Sequence, residues 1–69
     1  MTAESPMALI RKLDAAAAAL GQLAQEVRRA AAQATDEDLR SEMQDSADGL
    51  ERRATDMAEA IARLRSKIN

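Results

Sequence analysis

The sequence predicts an all-α protein, an antiparallel helical hairpin of two long helices that is expected to dimerise into a four-helix bundle. Three observations lead there. Two long stretches carry apolar residues at alternating steps of three and four, the spacing of one helix face. Between them, Ala34-Thr35-Asp36-Glu37-Asp38-Leu39 has the composition of a helix start. The single proline sits at residue 6, where it opens a helix rather than breaking one. All 69 residues form one domain: helix 1 at about 6–33, a turn at 34–35 and helix 2 at about 36–68.

Taken in order, Met1 to Glu4 read as a short tail. Ser5 is the expected cap of helix 1, and Pro6 its first residue, where the missing N–H is harmless. Leu9, Leu13, Ala16, Leu20, Leu23, Val27, Ala30 and Ala34 then form a heptad seam. From Pro6 to Gln33 this helix would be roughly 42 Å long. At the turn, the Thr35 hydroxyl is expected to accept the Asp38 N–H while the Asp38 carboxylate reaches back to the Thr35 N–H. Asp36, Glu37 and Asp38 meet the positive end of the new helix dipole, and Leu39 can touch Ala34 as a small staple. Helix 2 continues through Met43, Ala47, Leu50, Ala54, Met57, Ile61, Leu64 and Ile68, with one extra step of four at Met43. Arg63, Arg65 and Lys67 lie in its last turns, where cations suit the dipole.

Two such seams joined by a short turn must fold back on each other. With Thr35 as pivot, Leu9 pairs with Ile61, Leu13 with Met57, Ala16 with Ala54, Leu20 with Leu50, and Val27 with Met43. Gly21 and Gly49 come level, a thin waist where another chain can approach. The expected core is therefore Leu9, Leu13, Leu20, Leu23, Val27, Leu39, Met43, Leu50, Met57, Ile61 and Leu64. A second stripe, Ile10, Ala17, Ala24 and Ala31, widens the apolar face of helix 1, as Ala58 and Ala62 do on helix 2. One partner helix cannot cover a face that wide, so a homodimer is expected.

Composition bounds the chemistry. There is no cysteine, histidine or aromatic residue, so disulfides, thiolate or imidazole metal sites and base-stacking platforms are excluded. The net charge of −2 gives no strong pull on nucleic acid. No apolar run approaches the roughly 20 residues of a membrane span, and the N-terminus lacks the layout of a signal peptide. The expected location is the cytoplasm of a bacterial host.

No catalytic, metal-binding or cofactor-binding residues are expected. Asp36, Glu37 and Asp38 cap a helix, and Asp45, Asp48 and Glu51 lie along a solvated face, whereas paired-carboxylate catalysis needs a cleft. Nucleic acid is weighed next. Arg11 and Lys12 lie near Arg63, Arg65 and Lys67 in the hairpin register, making one end basic, and Arg28-Arg29 and Arg52-Arg53 are further pairs. Asp14, Glu26, Glu51 and Glu59 dilute them, and ion pairs along a helix, such as Glu59–Arg63, explain most of this pattern. Protein partners fit better. Met7 and Ile10 at the open end fall outside the seam and must pack in the dimer or meet another protein. Candidate partner-binding residues are thus Met7, Ile10, Arg11, Arg28, Arg29, Arg52 and Arg53.

Two resemblances sharpen the alternatives. The acidic turn followed by Gln44-Asp45-Ser46-Ala47-Asp48-Gly49-Leu50-Glu51-Arg52-Arg53 resembles the second helix of the Rop family of plasmid copy-number proteins. That likeness covers about a third of the chain and implies a hairpin dimerising into a four-helix bundle that binds paired RNA loops. The Rop RNA face includes a phenylalanine, which this chain lacks, and Asp14 stands near its place. In whole-chain length, Ala/Arg-rich style and expected dimer, the chain is similar to small phage-encoded hairpins that act as quorum-sensing anti-activators in Pseudomonas. This second likeness implies a non-enzymatic inhibitor that binds a host transcription factor of the LuxR type and a type IV pilus assembly ATPase. The alternatives are an RNA-binding regulator using Arg11, Lys12, Arg28 and Arg29, and a purely structural coiled-coil module.

Overall fold

The computed structural model describes residues 5–68: helix α1, Pro6–Gln33, and helix α2, Glu37–Ile68, packed antiparallel across the turn 34–36. The tail expected at 1–4 lies outside the described residues. Helix α1 starts as its sequence dictates. Ser5 is extended, its hydroxyl accepts the Ala8 N–H at 3.2 Å, and Pro6 follows at the first helical position. The helix leaves through Ala34, also extended, whose N–H donates to the Ala31 carbonyl at 3.1 Å. No glycine is required there, because no described non-glycine residue adopts a positive φ.

Helix α2 begins one residue later than the sequence suggests. Asp36, not Thr35, is the cap: its carbonyl accepts the Arg40 N–H at 3.0 Å and its carboxylate accepts the Asp38 N–H at 3.0 Å. An ionised carboxylate is a stronger acceptor than the Thr35 hydroxyl, and it reaches the second N–H directly. Glu37 and Asp38 remain in the first turn, against the positive end of the dipole.

That shift of one residue turns Arg40 inward and Leu39 outward. Arg40 is half-buried and its Nη2 donates to the Ala34 carbonyl at 2.6 Å, so a cation holds the C-terminal end of α1 where a Leu39–Ala34 staple was expected. Its Nε is buried and has no hydrogen-bond partner among the described residues. Arg40→Ala is expected to cost about 1–2 kcal/mol, by leaving the Ala34 carbonyl to water and removing the packed stem. Arg40→Met should cost less, since it keeps the stem and removes the unpartnered Nε. Urea midpoints of the two variants test the order.

With Arg40 inside, the heptad of α2 runs Arg40, Met43, Ala47, Leu50, Ala54, Met57, Ile61, and the extra step at Met43 disappears. The facing row of α1 is Ile10, Leu13, Ala17, Leu20, Ala24, Val27, Ala31. Ile10, Ala24, Ala31, Ala47 and Ile61 are buried, and Leu13, Leu20, Val27, Met43, Leu50 and Met57 are half-buried. The expected seam through Leu9, Leu23 and Leu39 is therefore displaced by one residue. These three are 47%, 46% and 49% exposed, and Leu64 is exposed as well. The reason is size. Alanines at 17, 24, 31, 47 and 54 let the two backbones approach closely, whereas leucines at 9 and 23 in that row would hold them apart.

Counted outward from Thr35, the middle of the turn, Ile10 and Ile61, Ala24 and Ala47, and Ala31 and Arg40 stand level to within a residue. The expected levels of Leu13 with Met57, Leu20 with Leu50, and Val27 with Met43 stay within a residue of this register. Gly21 and Gly49 are level too, yet a methyl added at either meets nothing within 4 Å, so neither serves a close approach inside the hairpin.

The molecule is a slab of 51 × 23 × 15 Å, one layer of two helices lying side by side. It exposes 5401 Å², against roughly 4,200 Å² for a compact monomer of its 7.4 kDa mass. A single layer leaves two broad faces open, and they differ in character.

Candidate interaction surface

One broad face is sealed by charge. Arg28 on α1 donates from Nε to Glu51 Oε1 at 2.7 Å and from Nη2 to Asp48 Oδ1 at 2.6 Å, crossing to α2. Hydrogen bonds to Glu51 and then to Asp48 push the Arg28 pKa further above its ordinary value. Nearer the open end, Arg65 of α2 pairs with Asp14 of α1. All these groups are well exposed, so the pairs set which way the hairpin faces more than they stabilise it.

The opposite face is apolar. Along α1 it carries Leu9, Ala16, Leu23 and Ala30, one heptad apart and all exposed, with half-buried Leu13, Leu20 and Val27 beside them toward the seam. Along α2 the matching positions are exposed Leu39, Ser46 and Arg53 and half-buried Ala60, next to Met43, Leu50 and Met57, so this half of the face is polar at its middle. A shallow depression lined by Ser46, Gly49, Leu50 and Arg53 lies near the middle of α2. At the outer edge of this face stand five charges: Glu26 and Glu42 in the half near the turn, and Lys12, Asp56 and Arg63 in the half near the open end. Among the described residues, Glu26, Glu42 and Arg63 form no ion pair.

The structure scatters the partner-binding residues expected from sequence. Ile10 is 1% exposed, a core residue opposite Ile61 and closed to any partner, because the seam runs through it rather than through Leu9. Met7 is exposed at the open end beside the exposed Arg11. Arg28 is held by two carboxylates. Arg29 and Arg52 are exposed and unpaired among the described residues, and Arg53 borders the apolar face. Of the expected basic end, Arg11 and Arg63 are exposed and Arg65 is turned toward Asp14. The apolar face is not separable in the sequence, where its leucines fit the hairpin core equally well. The signal was present as a stripe wider than two helices can bury between themselves.

Among the described residues, no group of three or more carboxylates could hold a metal ion, and no helix is long and apolar enough to cross a membrane. What the arrangement offers chemically is a large, nearly flat apolar surface with a charged edge, suited to packing against other helices. No family model, curated protein or solved structure matches the chain.

Proposed function

We propose that the chain is a non-enzymatic regulator that works by protein binding: a homodimer built on the apolar broad face, with an inhibitory contact made by residues the dimer leaves outside. The observation that carries this reading is that face. It exposes leucines at three positions on one side of a hairpin whose other side is charged and paired. The excess surface of roughly 1,200 Å² over a compact monomer exceeds the roughly 800 Å² per partner that a standard interface buries. In the dimer, Met7 and Arg11 at the open end, and Arg29 and Arg52 on the outer surface, remain available to a target. By likeness to the phage hairpins, that target is a host regulatory protein such as a LuxR-type quorum-sensing activator, with a pilus assembly ATPase as a second one. The RNA-binding alternative has less support, because phosphate would have to displace Glu51 and Asp48 from Arg28.

Two measurements test the proposal. Solution mass against concentration should give a dimer, and Leu23→Asp should weaken it at least about tenfold, because a charge would replace a leucine that enters the interface twice. Gln25→Asp, on the other side of α1, should leave the mass unchanged; equal loss for both variants would overturn the face assignment. The second measurement is retention of partners from a bacterial lysate at low and high salt. A regulatory protein retained at high salt is the expected outcome. Material retained only at low salt, and RNA in composition, would replace the proposal by the RNA reading.

A further inference from the structure

The two halves of the apolar face are unequal. Residues 15–25 of α1 carry no charged side chain, an uncharged run of about three helical turns, whereas no uncharged run in α2 is longer than the three residues 60–62. On the side of α1 that looks out of this face, Leu9, Ala16, Leu23 and Ala30 are all exposed, with exposed Ala19 at the edge beside them. From Leu9 to Ala30 this row is about 32 Å long. Lys12 and Glu26, on the edge row, bracket the uncharged run.

The outward row of α2 reads Leu39, Ser46, Arg53, Ala60 and Lys67, and its edge row carries Glu42, Asp56 and Arg63. Arg53 stands near mid-helix, on the rim of the depression it shares with Ser46, Gly49 and Leu50, and makes no ion pair among the described residues. The rows that look out of this face, on either helix, hold no carboxylate, and Glu26, Glu42 and Asp56 all stand on the edges. A second copy laid over α2 therefore draws the Arg53 guanidinium out of water against outward rows that offer it no acid. Leu39 does not make the turn end of α2 apolar either, because Asp36 and Glu42 stand three residues to each side of it.

A second copy laid along α1 instead brings leucine and methyl surface onto the same surface of its partner. Within residues 15–25 no like charges meet, whichever way the second helix runs. Such a stripe is its own complement, which selects a second copy of this chain as the occupant. The excess of the molecular surface over a compact monomer, roughly 1,200 Å², is large enough for the roughly 800 Å² per partner of a standard interface.

Resting on the homodimer reading above, we infer that the second copy docks on the α1 half of the face alone. The two α1 helices make the contact through Leu9, Ala16, Ala19, Leu23 and Ala30, and both α2 helices lie outside it. The two slabs overlap by one helix each rather than stacking squarely as a closed four-helix bundle. Each α2 then keeps Arg53 and its depression in water, on the surface left to a target. Nothing in the contact depends on Lys12 or Glu26.

Ala16→Glu and Ser46→Glu place the same added charge on the outward rows of α1 and α2, both at exposed positions. Solution mass against concentration should show the dimer of Ala16→Glu weakened at least about tenfold and that of Ser46→Glu unchanged to within about twofold. Weakening by Ser46→Glu as large as by Ala16→Glu, or a dimer that Ala16→Glu leaves unmoved, overturns the α1-only contact and leaves the homodimer reading standing. A monomeric mass for the unaltered chain overturns both. The chain has no cysteine, so single thiols give a second readout. Ala19→Cys and Ser46→Cys are each reacted with a maleimide above and below the concentration at which half the chain is dimeric. In the dimer the Ala19→Cys thiol should react about tenfold more slowly, and the Ser46→Cys thiol at its monomer rate. Equal protection of the two thiols overturns the α1-only contact.

Discussion

Ile61→Asp is expected to abolish the folded hairpin at 25 °C, seen as loss of the helical circular dichroism signal and of a cooperative urea transition. Ile61 is 2% exposed and level with Ile10, the other large side chain that is fully enclosed. A carboxylate there is drawn out of water, which costs roughly 3–5 kcal/mol beyond the lost packing. A single core of this size supplies no more than about 3–5 kcal/mol in total. The loss therefore matches the whole stability of the hairpin. Leu20→Asp, at a half-buried position, should be milder, because the charge can turn toward water until a second chain covers it. If Ile61→Asp folds as well as Leu20→Asp, the assignment of the inner row is wrong.

Ala24→Leu should produce the second large effect, by the opposite mechanism. Ala24 and Ala47 are both fully buried and level with each other to within a residue, in the row of small side chains between the helices. A leucine adds volume where nothing can give, and overpacking of this kind costs typically 1–3 kcal/mol. Relief by separating the helices would also loosen Ala31 and Ala17 in the same row. The expected readout is a fall in thermal midpoint of several degrees, by about 4–8 °C per kcal/mol for a domain of this size. Ala16→Leu, on the open face, should leave the isolated hairpin intact and act on the dimer instead, because it enlarges a side chain on the face the proposed dimer buries. If the two substitutions destabilised the chain alike at a concentration where it is monomeric, inner and outer rows could not be told apart.

The contrast between Ala24 and Ala16 shows how far the sequence reaches. Steps of three and four made both helices legible, and Ser5-Pro6 and the acidic run at 36–38 set their limits to within a residue. The one-residue error at the turn came from two capping candidates side by side, Thr35 and Asp36, which local chemistry ranks only weakly. Its consequence was larger than its size. A seam that starts at Leu39 needs a break at Met43, and one that starts at Arg40 does not, but an arginine inside a seam is not what hydropathy suggests. The apolar fraction of its side chain and the open carbonyl of Ala34 make the place habitable.

By itself the sequence determined two amphipathic helices, their limits, their antiparallel return, and an apolar surface too wide for one hairpin to bury. It left open which of two adjacent rows is inside. On α1 the rows through Leu9 and through Ile10 share Leu13, Leu20 and Val27, and both are apolar, so periodicity scores them nearly alike. Only the tertiary structure decided between them, because the decision depends on how close two backbones can come. The row with alanines at 17, 24 and 31 permits the shorter distance and the denser contact, and the ion pairs of Arg28 and Arg65 close the far side. The leucines are thereby left outside, where they form the surface from which the function is proposed.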